Sequence, residues 1–204
     1  MKNITIQFLL SLILITNLQA QKFKYGVQLG VDIANTTLKI NSLGGSESTN
    51  LITTFNLNGI IEYNLTNKIG ISIEPGFMQK GKSLKVILGY RNYNNYIQMP
   101  ILANIHISNK LYISCGPEIS YLLNADIKPK DKPYDTGSQY DTPLELSGIL
   151  GINYNIYKNL FLCLRYNRSL THISKNLYGY EDSITYGYGY EYNQYLQLLL
   201  KVTL

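Results

Sequence analysis

The sequence has no tryptophan, two cysteines and two histidines, and only 15% of its 204 residues are charged. Each shortage narrows the possible functions. His106 and His172 are far apart in sequence, and neither has a cysteine or aspartate at ligand spacing, so no metal site is expected. There is no Gly-rich phosphate loop, nucleophile elbow or HExxH run, and no Ser-His-acid set stands out by spacing. No catalytic residue, no cofactor and no enzyme activity are therefore expected. The net charge of +5 is mild and its basic residues are mostly scattered, which does not imply nucleic acid. Past residue 20 no apolar run approaches the roughly 18 residues of a spanning helix.

The chain does contain alternation. Over 144–170 the residues Leu144, Leu146, Leu150, Ile152, Tyr154 and Ile156 share one parity, and Glu145, Ser147, Gly151, Asn153 and Asn155 share the other. After a short turn at Tyr157-Lys158-Asn159, Leu160, Leu162, Leu164 and Tyr166 alternate with Phe161, Cys163, Arg165 and Asn167. A period of two means a two-faced strand, and the short polar link makes a hairpin. The same unit predicts strands over 23–34, 51–63, 69–80, 96–107, 111–122 and 193–204. Pro75 falls inside the third and predicts a bulge or a strand end. Links after the second, fourth and sixth strands are short. Those after the first, third, fifth and seventh are long.

Met1–Ala20 has a lysine near its start, an apolar core over 8–15 and a small residue at its end, the pattern of a secretory signal. Residues 21–204 then form one domain. Eight antiparallel strands with short turns at one end and long loops at the other fit an up-and-down transmembrane β-barrel in the outer membrane, short turns in the periplasm. A soluble lipocalin-like carrier would show the same alternation with its apolar face inward. Three features favour the inverted arrangement. One face is mostly Gly, Ser, Asn and Gln, which suits a narrow interior. The other carries bulky Leu, Ile, Phe and Tyr on every strand. Aromatic residues also cluster near strand ends, as in an interfacial girdle.

Glu74-Pro75-Gly76-Phe77-Met78-Gln79-Lys80-Gly81, Tyr96-Ile97-Gln98-Met99-Pro100 and Gly116-Pro117, followed by Gly151, Asn159-Leu160 and Arg165-Tyr166-Asn167, resemble the PorT-like outer-membrane β-barrel family of Bacteroidetes. The resemblance covers the chain after the signal. It implies an eight-stranded barrel, and most such proteins have no assigned activity. The family label comes from a protein linked to secretion or assembly of others, so an accessory role of that kind is one alternative. The chain departs from outer-membrane barrels in general by ending on Leu204 instead of an aromatic residue.

Glu62, Glu74, Glu118 and Glu145 share the inward parity with Arg165, Lys201 and Lys24. They are expected to fill the lumen as ion pairs, because buried charges must be paired. Lys80, Lys82, Lys85 and Arg91 lie in an acid-free span and are read as a possible outer-surface contact for lipid phosphate or another anion. Cys115 and Cys163 fall on opposite faces and should not pair. Tyr178, Tyr180, Tyr186, Tyr188, Tyr190, Tyr192 and Tyr195 form either a binding loop or an aromatic rim on extended strands. The expected partners are outer-membrane lipid, with lipopolysaccharide or a surface protein as further contacts. The expected protein is a monomer with a structural or interaction role, and the alternative is a narrow channel for small solutes.

Overall fold

The computed structural model describes residues 23–40, 45–84, 90–128, 134–135, 142–180 and 183–204. The segment read as a secretory signal and Lys85 lie outside the described residues. The strands are β1 (Phe23–Ile40), β2 (Gly45–Ser48), β3 (Ile52–Asn64), β4 (Ile69–Ile73), β5 (Gly76–Leu84), β6 (Tyr90–His106), β7 (Leu111–Lys128), β8 (Tyr134–Asp135), β9 (Leu144–Tyr157), β10 (Leu160–Ser169), β11 (Ser174–Tyr180) and β12 (Ser183–Thr203). Eight antiparallel staves make a ring: β1, β3, the β4–β5 pair, β6, β7, β9, β10 and β12. The ring closes where β12 pairs β1 from Gly26↔Thr203 to Ile40↔Gly189. Strands β2, β8 and β11 lie beside β1, β7 and β12 at the long-loop end.

The apolar parity faces outward. Leu29, Leu57, Leu150 and Leu198 keep about half or more of their surface exposed, at 57%, 55%, 59% and 50%, while Asp32, Glu118 and Arg165 keep 0%, 0% and 2%. A soluble protein would leave this belt in water. The belt is bounded by aromatics. The tilted rings of Phe23 and Tyr63 meet at 4.8 Å with Tyr25 two residues along the same strand at one edge, while those of Phe55 and Phe77 meet at 5.7 Å near the other. This is the amphipathic banding of a sheet whose solvent is hydrocarbon. The lipocalin-like alternative, with Leu162, Leu164 and Leu198 enclosed, does not occur, since all three are exposed.

The main departure from the sequence reading is at the long-loop end. Segments expected as loops there are largely paired strand: β1 runs on to Ile40, β5 to Leu84 and β7 to Lys128, and β11 pairs β12 over Ser174–Tyr180. Above the membrane the outward face meets water in place of lipid and turns polar, while the inward face, buried at Thr36, Lys80 and Asn94, is polar too. The hydrophobic contrast that reveals a strand in sequence fades there, although backbone pairing continues. At Pro75 the ladder is interrupted for two residues without a bulge. Ile61 faces Ile73 and Asn58 faces Gly76, so the register is the same on both sides. Proline only removes a donor, and its carbonyl still accepts from the Gly59 amide at 2.8 Å. The bulge in this part of the barrel lies between β6 and β7, where the register shifts at Asn95/Tyr96.

Leu198 sits mid-strand on the lipid face, between Val31 of β1 and Leu164 of β10. Leu198→Arg should cost about 2–4 kcal/mol, the penalty of a cation near the bilayer midplane. Equilibrium urea unfolding in lipid vesicles measures it; an unchanged midpoint would contradict the outward assignment.

Candidate functional site

The interior is stacked in layers along β10 and β12. The central layer is built on Arg165. Its register partner on β9 is Gly151, where a Cβ would stand 2.7 Å from Arg165 Cγ, so only glycine leaves room for the guanidinium stem. Arg165 donates twice to Glu74, Nη1 to Oε2 at 2.5 Å and Nη2 to Oε1 at 3.0 Å. This fork geometry fixes orientation as well as charge. Gln28 Nε2 donates to the same carboxylate at 2.7 Å and Ser72 Oγ at 3.2 Å.

Toward the long-loop end lies a layer built on Lys80. Its ammonium is 3.1 Å from Glu118 Oε1, 3.3 Å from Glu145 Oε1 and 3.1 Å from Ser120 Oγ. It also lies 4.6 Å and 5.1 Å from the ring centroids of Tyr96 and Tyr195. One cation thus serves two carboxylates, and neutral donors share the remaining charge. Tyr195 and Ser120 hydroxyls each donate to Glu118 at 2.7 Å; Asn167 and Asn193 donate to Glu118 and Glu145, both at 2.9 Å. Beside this layer Ala34, Ile52 and Met78 form a buried apolar cluster with Tyr195, and Tyr96, Leu122 and Ala125 form another.

Toward the short-turn end Lys201 Nζ bonds Glu62 Oε2 at 3.0 Å. Tyr112 lies beside it, with its ring 5.0 Å from His106 and edge-on to Phe161 at 5.7 Å. Asp32 differs from the other buried acids. Among the described residues it is the one buried carboxylate without an ion pair; Asn56 donates to its Oδ1 at 2.7 Å.

Glu62, Glu74, Glu118, Glu145, Arg165 and Lys201 therefore all point into the lumen, in three separate layers. Lys80 requires a correction. It is not an outer-surface contact but the hub of a buried layer, because β5 continues past it and keeps the inward parity of Glu74. Lys82 is half-buried and ion-paired with Glu191, so it too is engaged within the protein. Arg91 is exposed near the end of β6. Tyr195 also belongs to the lumen and not to an outer rim. Cys163 is buried, Cys115 half-buried, and both are free thiols. The sequence reading missed Lys80 as a lumenal residue and left Asp32, Asn167, Asn193 and Tyr195 out of the cluster. Counting parity onward from Glu74 would have found Lys80.

A closed ring with a lipid-facing apolar belt and a hydrogen-bonded polar interior defines a small integral outer-membrane β-barrel. Residues 19–175 match the model of the outer membrane protein beta-barrel domain family, and the chain belongs to that family. It is located in the outer membrane and contacts its lipid. Among solved structures it is similar to Neisserial surface protein A, with 14% identity, coverage of 86% of this chain and 96% of that one, and a TM-score of 0.50. It is also similar to OprG of Pseudomonas aeruginosa (11% identity, 90% and 96% covered, TM-score 0.48). A further similar structure is Ail, the attachment invasion locus protein of Yersinia pestis (14%, 88% and 99%, TM-score 0.45). At such identities the likeness concerns the fold. No curated protein matches the sequence.

Arg165→Ala would leave Glu74 charged and unpaired in the lumen. It should cost about 3–5 kcal/mol, whereas removing both charges with apolar residues of similar volume should cost far less. Unfolding midpoints of the single and double variants measure the difference. Equal losses would mean that charge pairing is not the reason for the arrangement.

Proposed function

We propose that the protein is a plugged barrel with a structural or interaction role, exported by its N-terminal signal and presenting its long hairpins at the cell surface. The observation that carries this reading is the filled lumen: three ion-paired layers, with Met78, Tyr96, Leu122 and neighbours buried beside the outermost. A solute path would need a gap through all of them, and an eight-stranded ring is just wide enough for its side chains to fill.

The outer end carries groups suited to an anionic partner. Lys39 lies over the Tyr192 ring at 5.1 Å and Lys175 over Tyr190 at 5.8 Å, with His172 edge-on to Tyr190 at 5.2 Å. Arg91 is exposed, and Arg168 reaches Gln194 on the outward face beside Tyr166. Cations held on aromatic faces at the upper edge of a lipid belt suit phosphate groups such as those of lipopolysaccharide, or an acidic surface protein. The ring closes within one chain, which supports a monomeric working unit. The PorT-like subtype, with its link to secretion or assembly, is the finer assignment that the motifs around Glu74 and Arg165 support.

A second reading, a narrow cation path, is favoured by Asp32 and by the unpartnered oxygens of Gln28, Gln98 and Asn167 in the same lumen. Planar-bilayer recording of the purified barrel separates the two. The plugged barrel gives no steady current. A steady, cation-selective current that Asp32→Asn reduces would establish the path instead.

A further inference from the structure

At the short-turn end the barrel opens into a cavity of about 550 Å³. Its lining is aromatic: Phe161 and His106 are partly exposed in it, and the buried Tyr112 ring backs both, 5.0 Å from His106 and edge-on to Phe161 at 5.7 Å. Lys24 and Lys158 line it, and no carboxylate side chain does. The nearest acid in register with Lys24 is Glu62, which Lys201 holds at 3.0 Å. The same sign is repeated around the rim: the three described turns, Leu65–Lys68, Ile107–Lys110 and Lys158–Asn159, each carry one lysine and no acid.

The hydroxyls of this cavity have a fixed polarity. Thr66 Oγ1 accepts from the amides of Lys68 at 3.1 Å and Ile69 at 3.0 Å. Ser108 Oγ accepts from the amides of Lys110 at 3.3 Å and Leu111 at 3.2 Å. Each hydroxyl thus has both lone pairs engaged, and what it offers a ligand is its O–H. Ammonium groups and donor-only hydroxyls beside an aromatic lining suit a molecule rich in acceptors, bearing a negative charge, with one flat apolar face.

We propose that this periplasmic mouth is a binding site for a small carboxylate-bearing sugar of the acidic amino-sugar class. The ring face packs on the partly exposed rings of Phe161 and His106. Lys24 and Lys158 receive the carboxylate, and Thr66 and Ser108 donate to ring or acyl oxygens. The volume falls within the range of small-molecule sites, roughly 300–1,000 Å³. The site is separate from the outer hairpins, and it does not depend on whether the lumen conducts.

The test uses the barrel in phosphatidylcholine nanodiscs, whose headgroups carry no net charge. N-acetylmuramic acid is titrated against N-acetylglucosamine, the same sugar without the lactyl carboxylate, and turn amide shifts and calorimetry are followed. The acid should bind about tenfold more tightly, the scale of one charge-assisted hydrogen bond. The gap should close in Lys24→Ala and in Lys158→Gly. The second variant also guards against misfolding, because Lys158 has φ +46°, a backbone conformation that glycine adopts freely. Equal binding of the two sugars, no binding of either, or a gap that survives both substitutions would overturn the site. Inorganic phosphate matching the acid's affinity would reduce it to a general anion pocket and overturn the sugar assignment.

Discussion

A peptide group in hydrocarbon has no water to bond, so every one in the spanning sheet must find a partner within the chain. That constraint makes β12 return to β1, and the closure governs the rest of the molecule. An open sheet would leave two rows of bare amides facing lipid. Once eight staves close, the interior is only wide enough for side chains. The outward parity meets lipid and must be apolar, so polarity can collect only inside.

The interior then sets its own condition. Charges enclosed by a sheet and a lipid belt lose most of their hydration, and pairing offsets that loss only when geometry is good. The layers meet it in different ways. Arg165 and Glu74 do so with a bidentate fork and two extra donors to the carboxylate. Lys80 is shared between Glu118 and Glu145, and the unneutralised charge is spread over Asn167, Asn193, Ser120 and Tyr195. Glycine at 151 is part of the same solution, since the guanidinium stem occupies the space of its missing side chain.

The two ends of the barrel differ in kind. At the long-loop end strands continue past the lipid belt into paired hairpins, with small buried apolar clusters in the lumen. At the short-turn end the wall stops soon after the belt, leaving an open, basic, donor-rich hollow over Tyr112. Contact at the outer end is thus on raised strands, and at the inner end in a recess.

Much of the fold was legible because lipid and lumen impose opposite chemistry on alternate residues. Leu162, Leu164 and Leu198 against Arg165 and Gln197 already state both faces. Short links marked one end, and parity alone placed Glu62, Glu74, Glu118, Glu145, Arg165 and Lys201 inside. The contrast weakens where the outward face meets water and both faces are polar, so the hairpins over Ser174–Tyr180 and beyond Lys80 carry no strand pattern, and nothing local marks Lys80 as inward. Which carboxylate each cation meets was not legible either. Lys80 and Glu145 are 65 residues apart and lie on staves that are not neighbours, so only the diameter and stagger of the closed ring bring them within bonding distance. The amino-acid order by itself determined the membrane-spanning strands, their faces and their membrane. Tertiary structure alone decided the pairings across the lumen, because residues on opposite walls share no local pattern and meet only when the cylinder shuts.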